Sequence, residues 1–354
     1  MDGKKKMIAL AIVAILVVGT VGVAYAAGFL RASEPNNNED GPIEITQTDG
    51  TTVTLPGVAE RIVVLNVNSA EMVYILGAGD KVVGASSATL SRAEGPSMFP
   101  NAVNLGSSVT PNTEVLATLD ADVIVAFSTL KLTNQAAVEA LGIVVVYIDC
   151  YILGTIDQDV RSLAKIVGDT ERGEQYINFV KIYTDLIDSR IKNVPASNYP
   201  TTYVEFSSDY AAQANGTSSD VILGVSGGVN IAHDLAYGSK VSAEWIVDQD
   251  PEYIFKILSS DIVGNDTAAL AAYNTFVGRV GFSEIQAVED HHVYLVRNDL
   301  SYGPRGFVSV LIFAKAFYPN VFADVNIQEV LEEYNAEFDT VFNTSVTTYQ
   351  PSAV

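Results

Sequence analysis

Residues 114–127 read EVLATLDADVIVAF, and residues 244–258 read EWIVDQDPEYIFKIL. The two stretches share one frame. A glutamate opens a short apolar helix (Glu114, Glu244), a second acid follows six positions later (Asp120, Asp250) and a third after eight (Asp122, Glu252). A hydrophobic strand comes next, over residues 123–127 in the first copy and 253–258 in the second. The copies stand 130 residues apart, and repetition at so long a period predicts two similar lobes rather than a solenoid of small units. A glutamate at the same place on each lobe points to a surface that faces something of matching symmetry.

Outward from the first copy, residues 43–55 alternate around Asp49-Gly50, the mark of a β-hairpin. Residues 61–65 (RIVVL) and 81–84 read as strands, with a helix over 69–76 ending at Gly77. Strands at 122–127 and 143–148 flank a helix at 134–141. Strands alternating with helices predict a parallel α/β sheet. The pattern then changes to two amphipathic helices, 156–167 and 171–192, the second spanning about 33 Å at 1.5 Å per residue. Pro195 and Pro200 stop it, and the alternation resumes with residues 201–206, 220–225, the second copy and the strand 292–296. Helices near 304–317 and 327–338 close the chain. The layout is lobe, helix, lobe, and a single stiff connector restrains how far the lobes can swing.

The amino terminus is a separate element. Lys4, Lys5 and Lys6 precede an uncharged apolar run over residues 7–30, long enough to span a bilayer with its start on the cytoplasmic side. Ala24-Tyr25-Ala26 resembles a signal-peptide cleavage site, so removal near Ala26 and secretion is one reading. The run exceeds a usual signal core, which favours an uncleaved anchor. Either way, the chain beyond residue 30 is exported. Residues 31–42, polar and Asn-rich, read as a flexible tether. Three Asn-x-Ser/Thr tripeptides, at Asn215, Asn265 and Asn343, are consistent with export.

Charge and composition exclude several functions. The chain carries 42 acids against 20 Lys and Arg, a formal −22; the first 30 residues are net +2, which leaves −24 on the remainder. Such a surface repels phosphate backbones and anionic membranes, so nucleic-acid binding is excluded. Cys150 is the one cysteine; it cannot form an internal disulfide and reads as a small buried hydrophobe. The three histidines (His233, His291, His292) show no metal-ligand spacing, and there is no Gly-rich phosphate loop or nucleophile elbow. The sequence therefore predicts neither an enzyme nor a metal centre nor a resident cofactor, and an adhesion protein would leave the repeated phrase unexplained.

Taken in order, ERIVVLN (60–66), NSAEMVYILGAGDKVVG (68–84), TPNTEVLATLDADVIVAF (110–127), LGIVVVYID (141–149), SSDVILGVSGGVNIA (218–232), VSAEWIVDQDPEYIF (241–255), HHVYLV (291–296) and YGPRGFVSVLIFAKAFYP (302–319) resemble the exported substrate-binding proteins of ABC importers for iron–siderophore complexes, haem and cobalamin. The resemblance spans about residues 43–338. It implies two Rossmann-like α/β lobes joined by one long rigid α-helix and preceded by a hydrophobic helix. The corresponding division is 1–30 signal-anchor or signal peptide, 31–42 tether, 43–168 amino-terminal lobe, 169–197 connecting helix, 198–340 carboxyl-terminal lobe and 341–354 tail. The ligand it implies is an Fe(III)–siderophore chelate first, with a corrinoid (cobalamin) as alternative and haem third. The partners it implies are an ABC permease homodimer with its cytoplasmic ATPase.

Within that resemblance Glu114 and Glu244 are docking contacts to permease arginines. Read locally, each is a carboxylate in a first helical turn, favourable against the positive helix end, and the two roles are compatible. Ligand contacts are expected from loops at the carboxyl ends of strands: Asn68, Ser87, Tyr151, Tyr237, Tyr302 and Arg305. Tyr237 lies seven residues before Glu244, near where the family often places an aromatic against its ligand. Tyr302 and Arg305 flank Gly303-Pro304 at a helix start, where an arginine could hold an anionic chelate. A salt bridge is the competing reading of Arg305, and ordinary packing that of each tyrosine. Trp245 reads as lobe packing.

Overall fold

Two open parallel sheets, each buried on both faces, make up the part of the chain that the computed structural model describes, residues 41–258 and 266–344. The apolar run at residues 7–30, the tether as far as Asp40, the tripeptide asparagine Asn265 and the tail beyond Thr344 lie outside the described residues. A two-stranded hairpin, β1 (Ile43–Thr46) and β2 (Thr52–Leu55), leads in, and Asp49 Oδ1 holds its turn by accepting from Thr51.

The first lobe contains β3 (Ile62–Val64), α1 (Val67–Ile75), β4 (Val82–Ala85), α2 (Ser87–Leu90), α3 (Gly95–Met98), β5 (Val103–Asn104), α4 (Thr113–Leu116), β6 (Val123–Ala126), α5 (Gln135–Glu139) and β7 (Val144–Tyr147). Its strands run parallel in the order β5-β4-β3-β6-β7. The chain winds first to one side of β3 and then to the other, so the loops after β3 and β6 diverge. That leaves a crevice at the carboxyl edge. β3, β4 and β6 are buried at every residue, as a sheet covered on both faces requires.

Two helices carry the chain across. α6 (Ile156–Val167) packs on the hairpin and α1, ends at Gly168 in the left-handed region (φ 84°), and is followed by α7 (Thr170–Ile191). Asp169 caps α7 by accepting from Arg172 N. The second lobe contains β8 (Thr201–Glu205), α8 (Ser218–Ser226), β9 (Val229–Asn230), α9 (Ala243–Gln249), β10 (Tyr253–Leu258), α10 (Asp266–Val277), α11 (Gln286–Glu289), β11 (Val293–Arg297), α12 (Phe307–Phe317) and α13 (Ile327–Glu337). Its parallel order is β11-β10-β8-β9.

α7 is more than a strut. Tyr176, Ile177, Phe179, Val180, Tyr183, Ile187 and Ile191 are buried along it, in one hydrophobic core that runs from Ile62 and Val64 through α6 and α7 to Phe255 and α12. Phe179 stands edge-on to Phe307 (5.9 Å) and to Tyr334 (5.7 Å), joining the connector to the second lobe's closing helices. Each sheet's other face has its own core, around Ile124 and Leu116 in the first lobe and Ile254 and Phe282 in the second.

Close approach of α6 and α7 depends on Gly173, where a Cβ would lie 2.6 Å from the Ala164 methyl. Gly173→Ala adds a better helix former by roughly 1 kcal/mol. It is nevertheless expected to lower stability by about 1–3 kcal/mol, because the two helices must part. Urea denaturation checks this: a midpoint equal to or above that of the parent protein would contradict the packing described.

Candidate functional site

The repeated phrase folds the same way twice, and each of its three acids has a distinct structural place. Asn112 and Ser242 cap α4 and α9, with Asn112 Oδ1 accepting from Glu114 N and Val115 N and Ser242 Oγ accepting from Trp245 N. Glu114 and Glu244 are thus both the second residue of a helix, and both are exposed. Its own backbone N–H and Ser242 hold the Glu244 carboxyl below its ordinary range. Asp120 (φ 45°) and Asp250 (φ 41°) turn the chain through the left-handed region after each helix. Asp122 and Glu252 pin the neighbouring strand's start: Asp122 Oδ2 accepts from Glu60 N and Arg61 N (2.9 and 2.8 Å), and Glu252 Oε2 from Thr201 N (2.8 Å). Trp245 packs into the second lobe's own core, edge-on to Tyr203.

A separate group of residues lines the cleft where the carboxyl edges meet. Asn66 caps α1 with its Oδ1 and donates through Nδ2 to Ile148 O and Asp149 O, joining the loops after β3 and β7. Asn68, one turn into α1, lies against Gly303 of the other lobe: a Cβ there would stand 3.0 Å from Asn68 Oδ1. Tyr302, beside it, bonds to Gln213 Oε1 and lies 3.3 Å from Ser219 Oγ, with Phe206 edge-on at 5.4 Å. From the first lobe Tyr151 reaches toward Tyr237 of the second, and its hydroxyl lies close to those of Thr129 and Tyr237. Burial first, then Asp149 and Tyr237, pushes the Tyr151 phenol up to about 12. Burial, with Tyr237 and Tyr151 adding to it, also holds Tyr302 well above its ordinary value. The Tyr151 and Tyr302 phenols are therefore neutral hydrogen-bonding groups at neutral pH. Tyr237 is 69% exposed, at the lip of the cleft.

The structure thus brings together Asn68, Tyr151, Tyr237 and Tyr302. Two other expected contacts stand elsewhere. Ser87 is exposed after β4 and donates to Asn104 Oδ1, and no contact among the described residues joins it to the tyrosines. Arg305 does not face the cleft. It is 2% exposed, with its guanidinium engaged side-on by Glu71 (2.8 and 3.0 Å) and through Nη1 by Asp299 (3.1 Å), so it is not placed to hold a ligand. Other cations at the strand ends are also engaged: Lys256 and Arg279 with Glu205, and Lys131 over the Tyr147 ring. Among the described residues no three metal-ligating side chains converge. His233 pairs with Asp220 and His292 stacks on Tyr253 at 4.2 Å.

Gln213 and Ser219 contact Tyr302 and escaped the sequence reading. Asn66 did not: it opens the loop after the strand at 61–65, one of the strand-end loops expected to supply contacts. Gln213 and Ser219 lie in a loop and a helix start whose convergence on Tyr302 is purely tertiary.

These observations define a two-lobed α/β protein with a cleft between the carboxyl edges of its sheets. Residues 62–300 match the periplasmic binding protein family, and the chain belongs to that family. It is 26% identical over 294 residues to an uncharacterized ABC transporter substrate-binding lipoprotein of Bacillus subtilis, covering 80% of this chain and 88% of that one. It is 25% identical over 298 residues to a cobalamin-binding protein of Halobacterium salinarum, covering 79% and 78%. A crystal structure of a TroA-like periplasmic binding protein, FepB, from Veillonella parvula superposes with a TM-score of 0.67 at 25% identity, over 84% of this chain and 96% of that one. The protein is an extracytoplasmic substrate-binding component of an ABC importer, not an enzyme. Its partners are an ABC permease with its ATPase, and a small-molecule ligand.

The loop that carries Tyr151 rests on a buried carboxylate. Asp159 accepts from Cys150 N and Thr48 Oγ1 at 2.9 and 2.7 Å, and burial raises its pKa to about 6. Since the unfolded value is lower, near 3.8, protonation favours the folded state. The contribution is fully present below about pH 4 and is lost as pH rises through about 6, on the order of 3 kcal/mol. Asp159→Asn should flatten stability between pH 4 and 7 relative to the parent. Denaturant titrations with parallel pH profiles for both proteins would contradict this.

Proposed function

We propose that the cleft binds a corrinoid and delivers it to the permease. The observation that carries this reading is the chemistry of the cleft wall. Three tyrosines and the Asn68 and Gln213 amides line it, with Tyr151 and Tyr302 neutral, while the nearby cations are already engaged. A ferric tris-catecholate carries several negative charges and needs free cations on its binding wall. A corrinoid presents a ring of neutral amide side chains, which phenols and amides can meet as donors and acceptors. The cobalamin-binding relative supports the same choice. The ferric siderophore, placed first on sequence grounds, becomes the alternative.

In this mechanism ligand settles between Tyr151, Tyr237 and Tyr302 with little lobe movement. Glu114 and Glu244 then seat the loaded protein on arginines of the two permease subunits, in a homodimer whose symmetry the paired glutamates match. What supports docking is their identical placement: each is the exposed second residue of a capped helix. ATP hydrolysis by the cytoplasmic subunits drives release. The apolar run at residues 7–30 serves as the membrane tether.

Calorimetric titration of residues 41–354 with cyanocobalamin, a ferric tris-catecholate and haemin separates the ligand classes. Cyanocobalamin is expected to bind at micromolar or lower concentration and the ferric chelate at least tenfold more weakly; the reverse order would reinstate the siderophore. For docking, Glu114→Ala combined with Glu244→Ala should abolish uptake and leave the binding isotherm unchanged. Normal uptake by the double variant would remove the glutamates from the permease contact.

A further inference from the structure

Within α1 every residue from Asn68 to Val73 is buried, yet Glu71 lies among them. Its partner is 234 positions away: Arg305 Nε and Nη2 meet Oε1 and Oε2 at 2.8 and 3.0 Å, a two-point contact between one lobe and the other. The charges continue on both sides. Arg92 stands 3.3 Å from Glu71 in the first lobe, and in the second Asp299 receives Arg305 at 3.1 Å and Arg297 at 2.5 Å. Burial pushes the Asp299 carboxyl up, but Arg305 and Arg297 more than offset it and leave the group below its ordinary value. The Arg305 guanidinium lies over the Phe342 ring at 4.3 Å.

The four residues 302–305 are all set by this neighbourhood. Tyr302 lines the cleft, Gly303 (φ 102°) lies against Asn68, Pro304 O accepts from Tyr176 Oη of α7 at 2.5 Å, and Arg305 reaches Glu71. Asn68 sits on the same helix as Glu71, three residues earlier. We propose that Glu71 and Arg305 are positioning residues, which lock the two lobes in register so that Asn68 and Tyr302 face each other at a fixed cleft width. A buried ion pair adds little net stability over apolar residues of similar size. A planar fork on a carboxylate, however, fixes both distance and orientation. Register, rather than stability, is what this pair contributes. The lobes then cannot swing apart about α7 without breaking it, and opening on the importer must act against it. This use of the cleft rests on the ligand-binding reading above.

The test pairs a distance measurement with a binding measurement. Nitroxides at Glu139→Cys and Val280→Cys, both exposed and on different lobes, report interlobe distance by double electron–electron resonance without any ligand; Cys150 is buried and stays unlabelled. Arg305→Met alone leaves buried Glu71 with only the partly exposed Arg92 at 3.3 Å as counter-charge and can fail to fold. Glu71→Leu with Arg305→Met removes both charges and is expected to keep the parent's melting temperature within a few degrees. In that double variant the distance distribution should broaden and the Kd for cyanocobalamin should rise tenfold or more. An unchanged distribution overturns the proposal, and broadening with an unchanged Kd overturns its link to the cleft. If the parent protein itself does not bind cyanocobalamin, the corrinoid reading fails, while the distance measurement still decides the register.

Discussion

Parallel sheets expose their binding loops at one edge, and two such edges make a site only when they face each other at a constant separation. Here that separation is set by burial. One hydrophobic core passes without interruption from β3 and α1, through α6 and α7, to α8 and α12. Aromatic rings of α7 stand against those of the closing helices at 5.5–6.5 Å between centroids. A hinge motion large enough to open the cleft widely would have to expose part of this core, at about 25 cal/mol for each Å² of apolar surface. The cleft is therefore a largely preformed one, and Glu114 and Glu244 hold nearly constant spacing.

The two ends of each lobe carry different groups. At the carboxyl ends of the strands gather Tyr151, Tyr237, Tyr302 and Asn68, the residues of the proposed ligand site. Near the opposite ends of β3 and β8 stand the remaining acids of each repeat, with Asp122 and Glu252 satisfying backbone N–H groups at those strand starts. Of the three acids in each copy, one is exposed at a helix start and two are committed to holding the chain. The repetition therefore preserves a local fold as much as it preserves a contact.

Much of this was legible in the sequence, and the limits were physical. Periodicity located the hairpin, the long helix within a residue at either end, and the alternation of strands and helices, because burial of one face imposes those periods directly. The acids were visible as a repeat, but the work of Asp122 and Glu252 was not, since their acceptor roles span 61 and 51 positions along the chain. Arg305 misled for the same reason. A helix-start arginine beside Gly303-Pro304 resembles an anion contact, and only the fold reveals a carboxylate 234 residues earlier that claims it. A clue did exist: Glu71 sits in NSAEMVYIL, a helix apolar on too many sides to leave a face in water, so its charge required a buried partner.

The central claim is that a corrinoid is held between the lobes by the three tyrosines and Asn68. A crystal structure of residues 41–354 grown with cyanocobalamin tests it most directly. The account requires the corrin ring in the interlobe cleft, within hydrogen-bond or van der Waals contact of Tyr151, Tyr237 and Tyr302, with Arg305 still on Glu71. A ligand bound elsewhere on the protein, or a cleft that reaches its ligand only by releasing Arg305 from Glu71, would contradict it.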